Sequence, residues 1–180
     1  AIDSDGEVHI SCIDDDEHQL RYVTNDGGSW SYTFFSDSII YGRPSIAIGP
    51  DDAVHITYFH EVSSMPEIYR LEYRKITSTG WESPLVIDDQ GHAGEQSSIA
   101  IDADGKAHVA YYDQANYDLK YATNVDGGWS CSSIDTLGNV GVFPSIDLDS
   151  AGMVHMAYVD NTNLFFKYAV QNAEPCAPRD

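Results

Sequence analysis

The chain has 180 residues, of which 42% are hydrophobic and 12% aromatic, with 12 Tyr. That is enough for one domain with a real core, and it excludes a disordered chain. Twenty-nine Asp and Glu stand against nine Lys and Arg, a formal net charge of −20. Such a surface repels nucleic acid and anionic membranes, tolerates cations and keeps the chain soluble. No apolar run reaches the ~20 residues of a membrane helix, so no membrane insertion is expected.

In chain order, the first feature is a segment that returns three times. AIDSDGEVHISCID opens at Ala1, and related stretches open at Ser45, Ser98 and Ser145. Each carries a histidine at the same place: His9, His55, His108 and His155, at steps of 46, 53 and 47 residues. Internal repetition of this kind outranks every other sequence signal. An apolar stretch ending in tyrosine follows each histidine, at Tyr22, Tyr73, Tyr121 and Tyr168. The His-to-Tyr distance is 13 residues in units one, three and four and 18 in unit two. The five extra residues fall in HEVSSMPEIYR and read as a lengthened loop. Eight residues after the first three tyrosines stand Trp30, Trp81 and Trp129.

Each unit thus holds four short strand candidates rich in β-branched and aromatic residues and separated by turn residues. Strand A is of the SIAID type, strand B contains the histidine, strand C ends near the tyrosine, and strand D starts at the tryptophan. The A–B turns are Asp-x-Asp-Gly at Asp3/Asp5 and Asp102/Asp104, where Gly accepts positive φ and Asp caps local N–H groups. No helix is predicted. Four antiparallel strands at a spacing near 46 residues describe a β-propeller blade. The expected fold is therefore an all-β propeller with blades at about 1–40, 41–93, 94–140 and 141–172, and a tail at 173–180. The first blade lacks the start of strand A and the last lacks strand D. We expect a fragment of a longer protein, or a chain completed by another copy through its incomplete blade edges.

The C–D turns carry a family resemblance. Thr24-Asn25-Asp26-Gly27-Gly28-Ser29-Trp30 and Thr123-Asn124-Val125-Asp126-Gly127-Gly128-Trp129 resemble the Asp-box, Ser/Thr-x-Asp-x-Gly-x-Thr-Trp, of bacterial sialidase-like (BNR) propeller repeats. The first is one residue short and the second has its Asp displaced. The resemblance implies the fold rather than an activity, and implies that these turns lie on the face away from a ligand.

On the opposite face lie the B–C and D–A loops. They bring candidate ligand-binding side chains: Arg43, Gln96 and Phe143 from D–A loops, and Asp113, Asn116, Asp118, Asp160 and Asn161 from B–C loops. Aromatic, amide and carboxylate groups together suit a sugar, or Ca²⁺ with oxygen ligands. No cofactor is required. The four histidines occupy equivalent places in different blades, so they do not converge on a metal. An imidazole bonded to a neighbouring strand recurs in this way. The Asp-x-Asp-Gly turns lack the further oxygens of a calcium loop. Cys12, Cys131 and Cys176 form no CxxC pair, and any disulfide leaves its pairing open.

Sialidase chemistry needs an arginine cluster with a Tyr nucleophile, a Glu partner and an Asp acid. The arginines here are Arg21, Arg43, Arg70, Arg74 and Arg179. The places equivalent to Arg43 hold Gln96 and Phe143, so no triad forms within these blades and no catalytic residue is assigned. The expected function is a secreted or cell-surface binding module for carbohydrate or another extracellular ligand. The alternatives are part of a sialidase-like glycoside-processing enzyme, or an assembly module completed by strand exchange.

Overall fold

A computed structural model describes residues 1–35 and 39–172. All its regular structure is strand apart from one 3-10 turn at Asp26–Gly28. Unit one contains β1 (His9–Asp14), β2 (Gln19–Thr24) and β3 (Ser31–Phe35). Unit two contains β4 (Ile39–Ile48), β5 (Val54–Ser64), β6 (Glu67–Thr77), β7 (Gly80–Trp81) and β8 (Leu85–Asp88). Unit three contains β9 (Ala93–Ile101), β10 (Ala107–Asp113), β11 (Asp118–Thr123) and β12 (Ser130–Asp135). Unit four contains β13 (Val140–Leu148), β14 (Met153–Asp160) and β15 (Phe165–Asn172).

Every unit is an antiparallel meander in sequence order. A single bridge, Ile2 to Val8, stands where strand A of unit one would run. Units two and three meet at their first strands through one parallel bridge, Arg43 to Gln96. Two sequence expectations shift. Trp30 and Trp129 sit one residue before the fourth-position strand, and in unit two that strand is broken into β7 and β8, both paired to β6. The five residues read as a loop in unit two instead continue the ladder: β5 and β6 are 11 residues each and stay paired out to Ser64 and Glu67.

The core is not inside the units but between them. One buried cluster joins Leu20 and Tyr22 of unit one to Ile40, Val54, Ile56 and Tyr58 of unit two. A second joins Leu71 and Tyr73 to Val109 and Tyr111, and a third joins Leu119 and Tyr121 to Val154, Met156 and Tyr158. A lone meander has two apolar faces, and stacking neighbours hides them. Each fully buried large apolar side chain contributes roughly 1.5–3 kcal/mol, so these faces outweigh any single hydrogen bond.

Tryptophan clamps the first two junctions. Trp81 stands edge-on to Tyr22, 5.1 Å between ring centres, and Trp129 stands edge-on to Tyr73 at 5.2 Å. Strand-A serines stitch the inner ends: the amides of Ile99 and Ile146 donate to the hydroxyls of Ser45 and Ser98 in the preceding unit, both at 3.2 Å.

The repeated histidine ties strand B to strand C. Nδ1 of His9, His55 and His108 lies 2.5, 2.6 and 2.5 Å from the hydroxyls of Tyr22, Tyr73 and Tyr121, and His155 pairs with Tyr168 in the same manner. Nε2 of His9, His108 and His155 reaches Asp3, Asp102 and Asp149 at 3.0, 3.2 and 3.2 Å. The other carboxylate oxygen of each Asp accepts two amides of its own turn, at Asp5 and Glu7, Asp104 and Lys106, and Ala151 and Met153. One aspartate thus closes the A–B turn and orients the imidazole that holds the tyrosine. In unit two Gly49 replaces it, and Nε2 of His55 is buried without a partner.

A candidate ligand cleft between units two and three

The B–C end of units two and three encloses a cleft of about 370 Å³ lined by Tyr41, Phe59, Glu67, Tyr69, His92, Glu95 and Gln114. The long β5–β6 hairpin creates it. Tyr69 lies near the end of this hairpin, beyond the reach of the shorter hairpins of the other units. Its ring stacks on Phe59 at 4.8 Å with 7° between planes, and it also meets the tilted ring of His92 of unit three at 4.5 Å. Phe59 is buried and also pairs across the ladder with Tyr41, whose ring lies 5.2 Å from His18 of unit one. Gln114 is held beside His92 by its amide, which donates to the His92 carbonyl at 3.1 Å.

The electrostatics are acidic. Loss of hydration together with the carboxylates of Glu67, Glu61 and Glu95 pushes the Tyr69 phenol above its ordinary range, so at neutral pH it is a hydrogen-bond donor. The site therefore offers an aromatic wall, a phenol O–H, an amide that both donates and accepts, and two carboxylates that accept.

The sequence-predicted residues fall into three groups, and none of them lines this cleft. Arg43 is exposed and its backbone bridges Gln96. Gln96 accepts the Phe143 amide at 2.6 Å, and Phe143 is 59% exposed with φ of 52°. Asp113 and Asp160 are buried and close their own loops. Asp113 accepts the Asn116 side-chain amide at 2.9 Å and the Ala115 and Asn116 backbone amides. Asp160 does the same for Asn163, at 2.9 and 3.0 Å. Asn161 is exposed, and Asp118 is half-buried, raised in pKa by lost hydration and by neighbouring Asp113. Arg43, Gln96 and Phe143 are thus linked to one another, as are Asp113 and Asn116, but the eight do not converge on one site; Tyr41, Glu95 and Gln114 of the cleft lie within two residues of Arg43, Gln96 and Asp113 in the sequence. Phe59, Tyr69 and His92 lie outside the predicted set: Tyr69 and His92 have no counterpart in the other units, and Phe59 stands in strand B rather than in a loop. The one available signal was the tyrosine inside the unit-two insertion.

Cys12 and Cys131 stand unpaired, and Cys176 lies outside the described residues. No helix among the described residues is long and apolar enough to cross a membrane.

No family model matches the sequence, and no curated protein does. Solved structures do share its fold. A protein of unknown function from Dyadobacter fermentans superposes with a TM-score of 0.67 at 12% identity, over 96% of this chain and 59% of that one. The NanB sialidase of Streptococcus pneumoniae gives 0.59 at 14% identity, over 96% of this chain and 30% of that one. An α-L-arabinofuranosidase from Podospora anserina, solved with cellotriose, gives 0.53 at 12% identity, over 93% and 60%. The chain thus spans less than two thirds of the length of each. At these identities the likeness is one of fold.

Proposed function

We propose that the four units are blades of a β-propeller of an extracellular protein, and that the cleft between the second and third binds a neutral carbohydrate. The observation that carries this reading is the Tyr69 ring stacked on Phe59 and flanked by His92, with Glu67, Glu95 and Gln114 lining the same cleft. The C–H face of a pyranose packs on an aromatic ring, while its hydroxyls need a mixed set of donors and acceptors. The single-bridge contact of first strands supports the propeller arrangement, as does the stacking of whole meanders through their faces.

The charge decides between sugars. Two carboxylates in the cleft and a net charge of −20 disfavour sialic or uronic acids, which repel them at short range. Among the described residues no arginine lines the cleft, so the sialidase-type alternative lacks its arginine cluster there.

The experiment is a glycan array of neutral and acidic saccharides, with Ca²⁺ and with a chelator, followed by titration of the best ligand. Binding to neutral glycans that falls at least tenfold in Tyr69→Ala, with an unchanged melting temperature, is expected. Unaltered binding by that variant, or binding confined to acidic sugars, overturns the assignment. Loss on chelation would make Ca²⁺ part of the site.

A further inference from the structure

The cleft between units two and three carries a charge that a plain sugar does not use. Its rings are Tyr41, Phe59, Tyr69 and His92, its carboxylates are Glu67 and Glu95, and no lysine or arginine lines it. A third carboxylate stands beside it. Glu61 pairs with Tyr69 across the β5–β6 ladder, and paired residues point to the same face of a sheet. Among the described residues, none of these three carboxylates is in an ion pair. The cation of the hairpin is turned away from them. Arg70 pairs with His60, and alternation puts both on the face opposite Tyr69 and Glu61. On that face His60 meets its own carboxylate, Glu72, at 2.8 Å.

The cleft is therefore negative, in a chain whose net charge is already −20. Lost hydration, with Glu67, Glu61 and Glu95, raises the Tyr69 phenol above its ordinary range, which is the mark of the same field. Like charges gathered around a partly dry wall cost free energy that a bound cation recovers. Two kinds of cation differ in what they need. A metal ion needs several ligand atoms converging on one point, and no group of three metal-ligating side chains is found among the described residues. An ammonium group needs the face of an aromatic ring within ~6 Å and carboxylates to accept its N–H bonds. The cleft supplies both kinds of group.

We propose that this cleft selects an amino sugar: a pyranose with a free, protonated amine, its ring against Tyr69 and its ammonium among the carboxylates of Glu61, Glu67 and Glu95. The inference rests on the carbohydrate reading of the cleft and adds to it the charge of the preferred substituent. Acetylation keeps the nitrogen and removes the charge, so the cleft tells a free amine from its acetylated form.

The test is titration of the 180-residue chain at neutral pH, at low and at moderate salt. The probes are the methyl glycosides of glucose, galactose and mannose, their 2-amino and 6-amino derivatives, and the N-acetyl forms of these. At least one amine is expected to bind about tenfold more tightly than both its parent alcohol and its N-acetyl form. That gain shrinks as salt is raised. Glu67→Gln combined with Glu95→Gln keeps the shape of both side chains and brings the ratio of amine to alcohol affinity near one. Amines that bind no more tightly than their parent alcohols overturn the inference and leave the carbohydrate reading standing. An N-acetyl form equal to its amine does the same, because the nitrogen is then read by hydrogen bonds alone. An unchanged ratio in the double variant also overturns it. Methylammonium binding as tightly as the amino sugar, or no binding of any glycoside, overturns the carbohydrate reading and this inference together.

Discussion

At the residue scale, His55 shows what the repeated aspartate does for the other histidines. Burial and the nearby Lys75 ammonium push the His55 pKa down to about 4, and Asp51 only partly opposes this. The folded protein therefore holds His55 neutral where an unfolded chain, with a pKa near 6.5, binds a proton. Stability is full above about pH 6.5 and falls as pH drops from there to about 4. The total loss from this one group is about 3 kcal/mol, at 1.4 kcal/mol per pKa unit. His108 is also lowered by burial, but Asp102 works against the shift. Chemical denaturation between pH 7 and 4.5, above the range where most carboxylates titrate, should show this slope. His55→Gln should flatten much of it, while equal slopes in both proteins would assign the effect elsewhere. The repeated histidines and tyrosines were legible in the sequence because they recur in every unit, 13 residues apart in three of them and 18 apart in the second. The missing fourth carboxylate was legible too, as Gly49 in place of Asp3, Asp102 and Asp149. What could not be read was that one aspartate serves both the turn and the imidazole, because that depends on the hairpin bringing Asp and His six residues apart into contact.

At the scale of the element, the first strand of each unit bends where it meets its neighbour. Gly94 and Gly141 have φ of 98° and 92°, at irregularities in the pairing of β9 and β13. A Cβ on Gly141 would stand 2.6 Å from Leu119 Cα and 2.7 Å from its amide nitrogen, and one on Gly94 would stand 2.7 Å from the Leu71 side chain. At Gly141 the obstacle is backbone, which cannot step aside. Gly141→Ala combines a disfavoured left-handed residue with this overlap and should cost about 2 kcal/mol or more. Gly105→Ala, also at positive φ but with open space around it, should cost only the conformational part, about 1–2 kcal/mol. Equal costs in urea denaturation would count against the overlap. The strands themselves were legible from their alternation and turn residues. The unit-two insertion was not, because extra residues in a hairpin read equally well as a loop or as two more rungs of ladder. Tyr69 stands on those rungs, which is why it escaped a reading built on repetition.

At the scale of the molecule, the junctions are alike in shape but not in chemistry. Between units two and three, Asp88 at the end of β8 accepts the Tyr111 hydroxyl at 2.7 Å and pairs with Lys120. Between units three and four, Asp135 does the same with Tyr158, at 2.8 Å, and Lys167. Asp88 is 3% exposed at its side chain, so removing its cation strands a buried charge. Lys120→Met keeps the stem and should cost about 3 kcal/mol. Asp88→Asn with Lys120→Met should recover part of that, and a double variant no better than the single would show that the pair is not coupled. The first junction departs from the rule. Phe35 stands where the aspartate belongs, and Glu72 stands where the lysine belongs. Tyr58 donates to Glu72 at 2.9 Å, and the Arg74 guanidinium lies over Phe35 at 4.6 Å.

That exchange makes the order of the units chemically addressed. Were unit three to settle on unit one, Lys120 would meet the Phe35 ring in place of a carboxylate. Were unit two to settle on itself in another molecule, Asp88 would face Glu72, a second carboxylate where Lys120 and Lys167 stand at the other junctions. Repetition makes a chain easy to build by duplication and equally easy to assemble out of sequence. The Phe35–Glu72–Arg74 set thus marks the first junction by its charges rather than by its shape, the kind of difference that separates right from wrong neighbours.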